Sequence, residues 1–149
     1  MIEGVNFMNE TERQELIACL FAENCSCVIR NGDRTRTFHE RGVKDLYRLL
    51  REEPEFLRGA FVADKVVGKG AAALMISGGV KEVFTDVVSE PAYRLFVRAR
   101  IRIEYTQMVP HIINRTKTDW CPLEKLCAHA VSEQECLPII EDFIRSLEQ

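Results

Sequence analysis

Three things are missing from this sequence, and each absence removes a class of protein. No apolar run approaches the roughly 20 residues that span a bilayer, so a membrane-embedded chain is not expected. Basic residues hold no majority: 20 Lys and Arg stand against 23 Asp and Glu, a formal net charge of −3. Duplex nucleic acid as main partner calls for a strong basic excess and is not expected either. Nor is there a low-complexity linker or internal repeat to divide the chain. Its 149 residues therefore read as a single domain, 1–149, large enough to bury its own core. The opening Met1-Ile2-Glu3-Gly4-Val5-Asn6 has an early acid and no basic segment before an apolar stretch, unlike a secretory leader. The expected setting is the cytoplasm.

What is present points to a globular α/β chain. Hydrophobic residues make up 46% and charged residues 29%, which is neither disordered nor membrane-like. The six cysteines (Cys19, Cys25, Cys27, Cys121, Cys127, Cys136) are even in number, but a proper core without an export signal favours reduced thiols. Cys25 and Cys27, two apart in an apparent strand, are expected to point the same way. With no second pair at zinc spacing, they read as core thiols.

Periodicity sets the order of elements. A helix over 10–22 follows Asn9 as cap, with Leu16, Ile17, Leu20 and Phe21 on one side. Two strand-like runs, 25–30 and 34–39, flank Asn31-Gly32, a hairpin signal because both residues tolerate positive φ. The second run is polar enough for a sheet edge. Val43, Leu46, Tyr47 and Leu50 have helical spacing, and Pro54 marks that helix's end or a kink. A short strand over 59–64, a helix over 69–77 stopped by Gly78-Gly79, and a strand over 81–88 follow. Ser89-Glu90-Pro91 opens the next helix, to about Ala99, and Ile101, Ile103 and Tyr105 alternate along another strand. The last helix begins at Ser132-x-x-Glu135. A hairpin followed by alternating strands and helices gives a three-layer α/β/α sandwich around a mixed sheet of about five strands.

The best site candidate is Asp64-Lys65-Val66-Val67-Gly68-Lys69-Gly70, where a strand runs into a helix. Ligands in open α/β sheets gather at such carboxyl ends, facing helix N-termini. Gly68 and Gly70 bare the backbone, so N–H groups can approach a ligand closely. Lys69 opposes the helix dipole, at a cost of about 0.3–1 kcal/mol, and a bound anion would turn that penalty into a clamp. The plain alternative is a solvated lysine in a tight turn; the segment lacks the spacing and Ser/Thr of a Walker loop. Asp64 and Lys65 are either ligand-facing or a surface ion pair.

A second cluster surrounds Trp120-Cys121-Pro122-Leu123-Glu124. Pro122 suits the first position of a helix, making Cys121 its N-cap and Glu124 its third residue. A thiol there leans toward thiolate, against the opposing acids Asp119 and Glu124. Cys121 and Cys127, six apart, do not share a helix face. His111, with Asn114 and Arg115, falls between the last strand and Cys121.

Val66-Val67-Gly68-Lys69-Gly70-Ala71-Ala72, the stretch Val83 to Pro91, Val109-Pro110-His111-Ile112-Ile113-Asn114-Arg115-Thr116-Lys117 and Cys121-Pro122-Leu123-Glu124 together resemble a small uncharacterised bacterial family similar in fold to the cytidine deaminases. The likeness covers roughly Cys25 to Cys127. It implies a hairpin, a central mixed sheet and a site made by two helix N-termini. Zinc deaminases begin those helices with His-x-Glu (or Cys-x-Glu) and Pro-Cys-x-x-Cys. Here the first begins Gly68-Lys69-Gly70-Ala71, and the second offers Cys121-Pro122 with Glu124. Without three ligands a zinc ion cannot activate water in the usual way, so a site free of metal and cofactor is expected. Its occupant would be an anionic, nucleotide-like small molecule held by Lys65, Gly68, Lys69, Gly70, His111, Asn114 and Arg115. Chemistry would use Cys121 as nucleophile and Asp64 or Glu124 for proton transfer. Two alternatives stay open: a non-catalytic regulatory or assembly module, with self-association into a homo-oligomer, and a zinc deaminase with Cys121, Cys127 and His111 as ligands.

Overall fold

The computed structural model describes residues 8–22, 24–40 and 42–148; the opening segment read for a leader lies outside them. α1 (Glu10–Ala22) starts where Asn9 caps it, Asn9 Oδ1 accepting the Glu12 N–H at 2.8 Å and so satisfying one donor that a helix start leaves open. β1 (Cys27–Asn31) and β2 (Arg34–Phe38) form the expected hairpin, with a correction to its turn. Asn31 is the last strand residue, paired with Arg34, so the loop is Gly32-Asp33 with Gly32 at φ 62°. Glycine first in a two-residue loop is the type II′ pattern. The Asn31 amide instead donates to Phe56 O at 2.8 Å and Arg58 O at 2.9 Å. α2 (Lys44–Glu52) ends before Pro54, which opens a separate short helix, α3 (Pro54–Leu57), at the position that needs no N–H.

β3 (Phe61–Val67), α4 (Lys69–Ser77), β4 (Glu82–Ser89), α5 (Glu90–Arg98) and β5 (Arg102–Val109) follow in strict alternation. Ser89 Oγ caps α5 by accepting from Ala92 N at 3.2 Å. After β5 come α6 (Pro122–Leu126) and α7 (Glu133–Leu147), the latter capped by Ser132 Oγ on Glu135 N at 3.2 Å.

The five strands order as β2-β1-β3-β4-β5. β1 is antiparallel to both β2 and β3, and β3, β4 and β5 run parallel. Among the described residues α1 alone covers one face, where Leu16, Leu20, Val28, Phe61 and Phe84 pack together. The other face carries the larger core, built from α2, α4, α5 and α7 over Val62 and Val83. This is the expected α/β arrangement, with a five-stranded mixed sheet between helical layers.

Two sequence expectations give way in detail. Cys25 and Cys27 do not share a face: Cys25 precedes the strand, its thiol reaching the carbonyls of Cys19 and Leu20 beneath α1, while Cys27 sits in the larger core. Strand alternation also breaks near the site. Val62 and Val67 belong to one core though five residues apart, as do Val83 and Val88, whereas strict alternation would oppose them. Each strand shifts phase once, and both ladders skip Asp86. Val67 thus turns inward just before Gly68 and seats the start of α4 against the core. Every residue from Lys69 to Met75 is buried. Among the described residues no helix is long and apolar enough to cross a membrane.

Candidate functional site

The two expected helix starts do meet. Gly68 is the N-cap of α4 and brings no side chain to its open N–H groups. Glu124 of α6 supplies the acceptor instead: Oε1 takes the Lys69 N–H at 2.9 Å and Oε2 takes the Ile112 N–H at 2.8 Å. Glu124 is 2% exposed; its bond to Lys69 is buried and its bond to Ile112 partly so. Hydrogen bonds to a charged group contribute about 1.5–3 kcal/mol each. The anion that α4's dipole favours is therefore a carboxylate of the same chain.

Lys69 completes the exchange in the other direction. Its side chain leaves the α4 start, and Nζ donates to Ala128 O at 3.3 Å and, by a shorter bond, to Ala130 O. Those carbonyls follow Cys127, the C-cap of α6, so the ammonium sits near the negative end of that helix. Glu124 of α6 thus caps α4, and Lys69 of α4 in return holds the loop that leaves α6. The apparent misplacement of Lys69 ends because a lysine side chain is long enough to reach carbonyls beyond its own helix.

The glycines serve the same contact. A Cβ on Gly70 would stand 2.5 Å from Leu123 Cδ2, and one on Gly68 would stand 3.2 Å from Ile112 Cγ1 and 3.4 Å from Glu124 Oε2. The bare backbone predicted to face a ligand faces Leu123, Ile112 and Glu124. Two cavities of about 330 and 300 Å³ lie elsewhere, both bordered by Tyr47 and Arg51 at the α2–α7 seam.

The remaining predicted residues are scattered around this junction. Cys121 is half-buried as N-cap of α6, with its N–H on Ile112 O at 2.7 Å and no side-chain cap bond. His111 stacks on Trp120, ring centroids 3.5 Å apart, and its Nδ1 is buried without a hydrogen-bond partner among the described residues. Asn114 is committed to its own loop: Oδ1 accepts from Thr118 N at 3.0 Å, and Nδ2 donates to Thr118 Oγ1. Arg115 stands exposed at the loop's tip. Asp64 and Lys65, adjacent on β3, are not ion-paired with each other. Lys65 reaches Asn24 Oδ1 at 3.4 Å, while burial pushes the Asp64 carboxyl up to about 7, against hydrogen bonds from the Val66 and Lys65 backbone.

Cysteine placement separates the suggested zinc ligands. Cys127 and Cys136 are fully buried. The interaction between their thiols raises Cys127 and lowers Cys136, with the Lys69 charge lowering both. None of the six cysteines forms a disulfide. Among the described residues no three His, Cys, Asp or Glu side chains come together to hold a metal, so the combination of Cys121, Cys127 and His111 is not assembled.

Sequence reasoning missed four contributors: Ile112 N, the carbonyls of Ala128 and Ala130, and Leu123. The first three act through the backbone and leave no residue-type signal. Leu123 had one, since a large apolar residue beside a Gly-x-Gly helix start is a packing partner for the second glycine.

No curated protein matches the chain. The crystal structure of a DUF1893 family protein (TM1506) from Thermotoga maritima is similar over 95% of this chain and 96% of that one, with a TM-score of 0.83 at 21% identity. At that identity the likeness speaks to fold alone. The family model described as TM1506, domain of unknown function (DUF1893), matches residues 15–144, which reaches into both terminal helices on either side of the 25–127 segment. This chain belongs to the TM1506 (DUF1893) family.

Proposed function

We propose that this chain is a non-catalytic assembly or regulatory module that keeps a cytidine-deaminase-like frame and has converted the meeting of two helix starts into a structural lock. One observation carries the reading: Glu124 occupies the α4 N-terminus with both oxygens taken by backbone N–H groups. The strand order and the β3–α4–β4 crossover support the frame, and the departures at Gly68-Lys69-Gly70 and Cys121-Pro122 support the loss of zinc chemistry. A thermal-shift panel of nucleotides and phosphosugars tests it. The expected result is no stabilisation, together with a large loss of melting temperature in Lys69→Ala and slow alkylation of Cys121 at neutral pH. Stabilisation by a nucleotide that disappears in Lys69→Ala would refute it.

A second reading has one observation in its favour, the Nδ1 of His111, unpartnered among the described residues, on the Trp120 ring. It places an anionic, nucleotide-like molecule outside the lock, against that aromatic pair and Arg115. Stabilisation by a nucleotide that survives Lys69→Met but is lost in Arg115→Ala selects this reading over the first.

A further inference from the structure

The two edges of the sheet are treated differently by the sequence, and the difference is one of self-complementarity. At the β2 edge, Arg34 and Arg36 flank Thr35, and their guanidinium groups lie over the Phe56 ring, 5.0 Å from its centroid in each case. Two copies paired antiparallel about Thr35 would set arginine against arginine, which directly opposed strands do not tolerate well. Cations on an edge are a common guard against strand addition.

β5 has the opposite pattern. It is eight residues long, pairs among the described residues only with β4, and contains neither proline nor lysine. Arg102 and Glu104 flank Ile103 and lie on the α1 face, where Arg102 approaches Glu82 at 3.7 Å and Glu104 holds the buried Arg13. Their side chains keep 73% and 49% of their exposure, so both have capacity for another partner. On the opposite face, Tyr105 meets Tyr93 of α5 edge-on at 5.6 Å. Val97, one turn after Tyr93 and so on the same side of α5, is 53% exposed, and Tyr105 is 38% exposed. An open strand edge is thus bordered by an apolar strip on one face and by one charge of each sign on the other.

We infer that β5 is the contact between two copies of this chain, paired antiparallel about a two-fold axis through Ile103. In that register Arg102 faces Glu104 of the second copy, and the same pair repeats by symmetry. Ile101 faces Tyr105 on the other side of the sheet, extending the strip formed with Tyr93 and Val97. Moving the axis to residue 102 sets Arg102 against its own copy, and moving it to residue 104 sets Glu104 against its own copy, so of these three registers only the one through Ile103 pairs Arg102 with Glu104 and leaves no like charges directly opposed. The axis is perpendicular to the sheet, which keeps α1 on the same face in both copies and joins the two sheets into one of ten strands. A two-fold contact is isologous and closes on itself, so it yields a dimer rather than a filament. This names the partner for the assembly reading above and rests on it for its role.

Light scattering and sedimentation on the full chain test the interface. Arg102→Glu leaves each copy with two acids and Glu104→Arg leaves each with two arginines at these positions. Each variant alone is expected to associate about tenfold or more weakly than the native chain. An equimolar mixture of the two restores dimers. Between unlike copies, the introduced acid of one variant faces the introduced arginine of the other, and the remaining native pair, Glu104 and Arg102, also meets. Arg34→Glu, on the other edge, leaves association unchanged. Glu104 also holds Arg13, so recovery in the mixture separates interface from folding. A native chain that stays monomeric at every concentration, or a dimer indifferent to both reversals, overturns the interface while leaving the non-catalytic reading standing. Nucleotide stabilisation does the reverse.

Discussion

Asp64→Asn tests whether a buried carboxyl on the central sheet sets the chain's response to pH. The residue lies on β3 between Cys27 of β1 and Thr85 of β4, and loss of water holds its carboxyl up to about 7. The unfolded chain releases that proton near the usual carboxylate value. Between about pH 4 and pH 7 the native state therefore binds more protons than the unfolded state, and stability falls as pH rises through that window. Below it, both states are protonated and the group contributes no penalty; above it, the full penalty applies. At about 1.4 kcal/mol per pH unit, the interval sets an upper bound of about 4 kcal/mol. Asp64 is not fully enclosed, and residual hydration brings the expectation to about 2 kcal/mol. Asparagine carries no charge and keeps an oxygen for the Val66 N–H. Urea denaturation at pH 5 and pH 8 measures the effect, since other titrating groups are shared and cancel in the difference. Part of the penalty is already in place at pH 5, so Asp64→Asn should gain about 1 kcal/mol over the native chain at pH 8 relative to pH 5. An equal difference at both pH values refutes the linkage.

The lock makes two further predictions. Glu124→Ala strands one buried and one partly buried N–H group and should lower stability by about 3–5 kcal/mol, with Glu124→Gln milder because its amide oxygen still accepts one bond; denaturant unfolding reads both, and a loss below about 1 kcal/mol in the alanine variant would contradict the geometry. Gly70→Ala places a methyl 2.5 Å from Leu123 Cδ2 and should be destabilising by about 1–3 kcal/mol, as overpacked cores are. A truncated Leu123→Ala background should recover part of that loss, and strict additivity in the double variant would show that the two positions do not touch.

The order of elements was legible because it is encoded locally. Asn9, Ser89 and Ser132 accept bonds from N–H groups three residues on, and Gly32 supplies the positive φ that its hairpin needs. The junction of Gly68-Lys69-Gly70 with Cys121-Pro122 was also anticipated, as two helix starts facing each other. What occupies it was not. Lys69 and Glu124 are 55 positions apart, and a lysine that opposes one helix dipole gives no sign, in sequence, of the carbonyls it reaches. Cys25 and Cys27 failed for a related reason: spacing by two implies a shared face only inside a strand, and β1 begins at Cys27.

The Glu124 cap also sets the terms on which any foreign anion meets this protein. Glu124 is tethered beside the α4 N–H groups, so it behaves as a ligand at very high effective concentration. A phosphate or carboxylate from solution reaches those donors only in molecules where α6 has swung away, and its apparent affinity is reduced by the small fraction of chains in that state. Swinging away would also strip Lys69 of its carbonyl partners and open the Leu123–Gly70 contact. Competition at this point is therefore decided by the packing of a five-residue helix more than by the chemistry of the competitor.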